Sequence, residues 1–251
     1  MRLGSQPLRQ RVINSKKFMA ARGKFIVVEG IDGSGKRTQI ELLVRALEAK
    51  GLAVAPIGFP NYEGFFGKLA GQFLNGDFGA LEEVDPHFSA MLYAGDRMQS
   101  APGIRKDLDA GKMVLADRYV ASNLAHQGSL VPREKRDEFL AWLKKLEYEI
   151  YAVPQEDLVV YLRVNPEEAQ RLVGEKAKRG YTRLKRDILE ADLAHLHTAK
   201  QVYDELAQQA HWVTIDCHER GAGALRSPEN IHQEILRAVE SRILAAQRVG
   251  S

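Results

Sequence analysis

The chain has 251 residues, 45% of them hydrophobic and 27% charged, with a net charge of +3. That length and balance suit one α/β domain with a full core, and the net charge is too small to argue for nucleic acid. A single cysteine, Cys217, excludes an intramolecular disulfide and a cysteine-built metal site, and no apolar run approaches the roughly 18 residues of a membrane span.

Residues 1–24 carry Arg2, Arg9, Arg11, Lys16, Lys17, Arg22 and Lys24 and no acid. Residues 1–23 read as a basic, disordered tail, with an organelle transit peptide as the alternative on composition, and lack the apolar stretch of a secretory signal. A single domain is expected over 24–247. The apolar, β-branched run 25–29 predicts a buried strand, and residues 36–50 have helical spacing at 40, 43, 44 and 47. A second strand is expected over 52–58 and a short helix over 65–74. Residues 86–100 predict a helix, and Pro102 a second one running to 110. A strand over 112–116, helices at 121–127 and 132–150, and a strand over 158–164 follow. Pro166 opens a helix, another runs from about 187 to 209, a fifth strand covers 211–216, and 228–246 forms the closing helix. Strands separated by helices imply a parallel sheet with right-handed crossovers, and ligands then bind beyond the strand C-termini.

The stretch Gly30-Ile31-Asp32-Gly33-Ser34-Gly35-Lys36-Arg37-Thr38 lies between the first strand and the first helix. In that context G-x-x-x-x-G-K is a phosphate cradle: glycines let the backbone approach, helix N–H groups point at the anion, and Lys36 adds a point charge. Asp117-Arg118 closes the third strand beside it. A carboxylate there suits the water shell of Mg²⁺, and a guanidinium forks onto phosphate oxygens; a strand-end salt bridge is the plainer alternative. Tyr93 and Arg97 are four apart on one helix, either an amphipathic pattern or an aromatic and a cation facing a base. Asn123 and Gln127 repeat that spacing with two amides, which either face water or read a base edge. Lys176, Lys178, Arg179, Arg183, Lys185 and Arg186 form either a solvated loop or a cationic lid. The seven histidines show no metal-ligand pairing; His195 and His197, two apart on a helix, face different ways.

In order and spacing, these motifs resemble the thymidylate kinase family. They are residues 30–39, Phe59-Pro60, Leu92-Tyr93-Ala94-Gly95-Asp96-Arg97, 117–123, and a basic segment closing with Asp187-Ile188-Leu189-Glu190. The resemblance implies a P-loop NTPase fold with five parallel strands flanked by helices and a lid at about 175–188. It further implies Mg²⁺-dependent transfer of the ATP γ-phosphoryl to dTMP by a cytoplasmic homodimer that uses neither nucleic acid nor membrane. By position, residues 30–38 would hold ATP, Asp32 the sugar 3′-hydroxyl, and Arg118 the acceptor phosphate. Tyr93 would stack on thymine and Arg97 would touch its edge, with Asn123 and Gln127 nearby. Phe59 and Tyr62 would line the cleft. Gly33 resembles the subtype in which the catalytic cation comes from the lid, here Arg179, Arg183 or Arg186, acting with Lys36.

Arg37 departs from the family pattern, because a metal-ligating Ser or Thr usually follows the lysine. Thr38 points about 100° away and is no simple substitute. The metal is therefore expected on ATP, water and Asp117, with Asp187 and Glu190 as further candidates. Tyr93 stands where Phe is common, and His126 where an aromatic often crowds the sugar 2′ position. A kinase for another monophosphate or for a nucleoside, with Glu63 as base, is the rival enzyme. A nucleotide-binding scaffold without turnover is the rival of another class.

Overall fold

The computed structural model describes residues 22–174, 189, 192–219 and 224–245. Five strands, β1 (Phe25–Glu29), β2 (Val54–Gly58), β3 (Met113–Asp117), β4 (Leu158–Arg163) and β5 (Trp212–Asp216), form one parallel sheet in the order β2-β3-β1-β4-β5. β1 is central and buried along its whole length, as its apolar sequence demands. Val28 pairs with Asp117 on one side and Val160 on the other. The loop after Glu29 and the Asp117-Arg118 corner therefore leave the sheet at one level.

The helices are α1 (Lys36–Glu48), α2 (Phe65–Leu74), α3 (Pro86–Asp109), α4 (Val120–Gly128), α5 (Arg133–Lys144), α6 (Pro166–Gly174), α7 (Leu193–Leu206) and α8 (Pro228–Val239). α5 and α8 run on as wider π-type turns over Lys145–Ile150 and Glu240–Leu244. Asp85, Asp192 and Ser227 cap α3, α7 and α8, each accepting a backbone N–H of the first turn. α1 buries Ile40, Leu43 and Leu47 against the sheet, the stripe its spacing predicts. A smaller cluster of Phe73, Leu74, Val84, Leu92 and Leu189, with Tyr62 and Tyr93 packed on it, fills the space between α2 and α3.

One expectation fails. Pro102 does not begin a new helix but lies inside α3. Residues 98, 99, 102 and 103 are all exposed, so water can satisfy the carbonyl that the missing N–H releases. The basic segment 175–188 lies outside the described residues.

Candidate active site

Beyond the strand C-termini lies a cleft of about 1340 Å³. A pocket for one drug-sized ligand occupies roughly 300–1,000 Å³, so this cleft has room for a donor and an acceptor together. One end is the 30–38 loop. Lys36 is buried, and its Nζ donates to Gly30 O and Ile31 O at 2.9 Å each. Burial and then the nearby Arg118 push its ammonium down to about 8, against the opposing pull of Asp32, Asp117 and Glu29.

Gly33 has φ +89°, and a Cβ there would meet Ala169 O of α6 at 2.1 Å. No side chain fits at that position, so the loop cannot carry a second cation there. Ile31 contributes backbone only, since its side chain is buried in the core. Arg37 lies at the rim, with its side chain 87% exposed and its Nε donating to Glu41 at 3.1 Å. Thr38, also at the cleft, is exposed.

The Asp117-Arg118 corner is held from β1. Buried Glu29 accepts the N–H groups of Tyr119 (2.7 Å) and Ser122 (3.1 Å) and the hydroxyls of Ser122 (2.6 Å) and Tyr203 (2.9 Å). Tyr119, at the head of α4, offers no side-chain cap of its own, so the Glu29 carboxylate caps this helix from another element. Arg118 sits at φ 68°, a left-handed conformation unusual for arginine. Its guanidinium reaches Asp32 Oδ1 at 2.5 Å, Gly30 O at 3.2 Å and Ser122 Oγ at 3.0 Å. Burial opposes its charge, but Asp32, Tyr203, Asp117 and Glu29 outweigh that and hold its pKa well above the ordinary arginine value.

At the other end, Arg97 is buried and paired in a two-pronged bond with buried Glu147, Nε to Oε2 at 2.7 Å and Nη2 to Oε1 at 2.5 Å. Asn123 Nδ2 donates to the same Glu147 (2.9 Å) and to Ala90 O (3.0 Å). Both partners only accept, which fixes the amide: Oδ1 is left buried without a partner. Gln127 Oε1 accepts from Ser89 Oγ at 2.6 Å. Asp96 Oδ2 accepts the Asn61 N–H at 2.8 Å and so ties the loop after β2, with Phe59 and Tyr62, to α3. Tyr93 is half-buried, edge-on to Phe73.

Phe59, Tyr62, Tyr93, Arg97, Asp117, Arg118, Asn123, His126 and Gln127 thus meet the loop in one cleft. Arg179, Arg183, Arg186, Asp187 and Glu190 lie outside the described residues. Sequence reasoning missed Glu29 and Glu147, whose partners are 24 to 174 residues away. It also missed a wall of the cleft formed by Leu172, Cys217, Leu225, Arg226, Pro228 and Ile231. Among the described residues no three of His, Cys, Asp or Glu gather as a metal cage. Among the described residues Asp117 fits a divalent ion, since its Oδ1 is buried without a hydrogen-bond partner and the residue lines the cleft.

Residues 28–235 match the thymidylate kinase family model. The chain belongs to the thymidylate kinase family. It is 34% identical over 220 residues to the thymidylate kinase of Synechococcus sp., covering 85% of this chain and 94% of the relative. To that of Mycobacterium tuberculosis it is 32% identical over 194 residues, 76% of this chain and 90% of the other. The solved thymidylate kinase of Candida albicans shares the fold, with a TM-score of 0.68 at 19% identity over 88% of this chain and 92% of that one. The match to the family places this thymidylate kinase family member among nucleotide-phosphorylating enzymes, and no described helix is long and apolar enough to cross a membrane.

Proposed function

We propose that this chain transfers the γ-phosphoryl of ATP to the 5′-phosphate of dTMP, giving dTDP and ADP. The observation that carries the substrate assignment is the fixed polarity at Arg97 and Asn123. Arg97 only donates, and Asn123 presents an orphaned acceptor, because Glu147 holds both. A thymine edge offers the complement, an O4 acceptor beside an N3–H donor. Cytosine offers the reverse at both atoms. Tyr93 supplies a ring face beside them.

At the opposite end, Lys36 and the loop N–H groups receive the ATP polyphosphate. An oxygen of the dTMP phosphate attacks the γ-phosphorus as the bond to the β-phosphate oxygen breaks. The acceptor is already anionic, so the step needs cations rather than a base, and Lys36 and Arg118 supply them. Mg²⁺, held by ATP oxygens, water and Asp117, would neutralise charge between the phosphates; such ions typically take only one or two protein carboxylates. The lid arginines 179, 183 and 186 are proposed to complete that charge, since Gly33 leaves no space for a cation in the loop.

The test is ADP release with ATP–Mg²⁺ and dTMP, dUMP, dCMP, dGMP or thymidine. The expected kcat/KM for dTMP exceeds that for dCMP by roughly 10²–10⁴-fold, because two buried polar groups are left mismatched. Equal use of dCMP would overturn the base assignment, and faster use of thymidine would favour Glu63 as a base.

A pH profile follows from Lys36. In the free enzyme its charge is lost above about 8, whereas bound phosphates stabilise it. The expected kcat/KM for ATP therefore falls above that pH while kcat persists to higher pH. Parallel falls of both would contradict this.

The cytoplasm is the proposed compartment and a homodimer the proposed assembly. Phe88, Met91 and Met98 lie exposed on one face of α3. Met91→Glu is expected to shift sedimentation from dimer to monomer; a wild type that sediments as a monomer would refute it.

A further inference from the structure

Beside Arg118 the described residues contain a hydrogen-bonded series that the proposed reaction does not use. Arg118 Nη1 stands 3.4 Å from His126 Nε2. His126 Nδ1 is 3.2 Å from His195 Nε2 on α7, and the two rings stack with centroids 5.4 Å apart. His195 Nδ1 is 2.9 Å from Ser129 Oγ, which in turn donates to His126 O at 2.8 Å. Both histidines are buried.

The direction of this chain has one solution. A backbone carbonyl only accepts, so Ser129 spends its one proton on His126 O and takes a proton from His195 Nδ1. With its proton on Nδ1, His195 accepts at Nε2 from His126 Nδ1–H. His126 Nε2 is then bare and faces Arg118 Nη1 as an acceptor. Every ring nitrogen is then used, with both imidazoles neutral. Burial holds both pKa values below the usual histidine range, His195 at about 4, in keeping with this assignment.

We propose that His195 and Ser129 are positioning residues for the acceptor phosphate. They fix the His126 tautomer, so that His126 presents a neutral acceptor that aims Arg118 without neutralising it. A carboxylate in the same place would hold Arg118 as firmly but offset the charge the phosphate needs. Asp32 already takes one guanidinium nitrogen, Nη2; on Nη1, His126 joins Gly30 O and Ser122 Oγ as a third neutral acceptor and adds no second negative charge. The inference rests on the reading that Arg118 meets the dTMP phosphate.

The experiment is long-range ¹H–¹⁵N spectroscopy of the histidine rings combined with steady-state kinetics. His195→Leu, close in volume, removes the acceptor for His126 Nδ1–H. Ser129→Ala removes the far end with little change of bulk. In the wild type both rings should show the Nδ1–H form. In His195→Leu, His126 should move towards Nε2–H, and KM for dTMP should rise about 3–10-fold, the range of one or two hydrogen bonds. KM for ATP and the melting temperature should stay close to the wild type. Ser129→Ala should shift KM the same way but less, and His195→Gln, whose amide can accept from His126 and donate to Ser129, should restore it. An unchanged His126 tautomer in His195→Leu would overturn the proposal. So would a changed tautomer with an unchanged KM for dTMP, because the series would then be packing alone. A wild type that does not bind dTMP overturns the acceptor assignment and the positioning role with it. The ring spectra of that same protein still show whether the hydrogen-bond chain exists, so the two failures are told apart.

Discussion

Lys36→Met is expected to lower kcat by about 10²–10³-fold, the scale seen when one preorganised cationic or N–H donor is removed from a developing anion. Its Nζ lies at the floor of the loop, bonded to Gly30 O and Ile31 O, and is buried before any phosphate arrives. In that state burial disfavours its charge, which is why its pKa falls to about 8. The folded protein therefore bears a cost for this ammonium, and a bound polyphosphate relieves it. Methionine keeps most of the unbranched stem and discards the charge. Folding should thus be unharmed, and the melting temperature should hold or rise while turnover collapses, as happens where a site is tuned for function at the expense of stability. Paired melting and kcat measurements check this. A variant with kcat within tenfold of the wild type, or one that melts far earlier, would contradict the account of the loop.

Glu147→Leu is expected to cost about 3–5 kcal/mol, because removing one partner of a buried ion pair strands the other. At about 2–4 °C per kcal/mol for a chain of this size, the melting temperature should drop by roughly 6–20 °C. Three donors lose their acceptor at once, Arg97 Nε, Arg97 Nη2 and Asn123 Nδ2. Arg97 is left charged in a nearly waterless place, and the Asn123 amide is free to turn over. The milder Glu147→Gln substitutes an amide for the carboxylate and sets one N–H₂ against these donors. The ratio of kcat/KM for dTMP over dCMP should fall towards unity in this variant even where it still folds. Combining Arg97→Met with Glu147→Leu should recover much of the stability, since apolar side chains of similar size tolerate such a site. It should not recover dTMP use. Melting curves and the two substrate ratios measure these effects. A Glu147→Leu protein as stable and as selective as the wild type would refute the claim that one carboxylate fixes the base-reading pair.

What the sequence disclosed and what it hid divide along physical lines. The geometry of the loop at 30–38 was readable because it is local: glycine conformations, a helix N-terminus and one lysine lie within nine residues. The strands were readable from apolar runs such as 25–29 and 158–163, whose burial on both faces leaves little choice of residue. Glu29 and Glu147 were unreadable, because nothing in a charged residue at a strand end or within an amphipathic helix reveals partners up to 174 residues away. His195 was read only against His197 on its own helix, whereas its partner is His126, 69 residues earlier. Cys217, which in the sequence only excluded a disulfide and a cysteine-built metal site, is buried and also lines the cleft. Pro102 was misread because a proline rule describes the backbone and not the solvent that satisfies the freed carbonyl. Arg37 looked like a defect in the motif. Its side chain lies along α1 with Glu41, so the departure removes a hydroxyl without placing a rival cation deep in the cradle.

The central claim is that a phosphoryl group passes from ATP to dTMP within one cleft. Phosphorus NMR of a mixture of the protein, ATP, Mg²⁺ and dTMP tests it most directly. The account predicts that the β-phosphate signal of dTDP grows in step with ADP, with no comparable product from dCMP. Inorganic phosphate appearing in place of dTDP, or no change in the ATP signals, would contradict it.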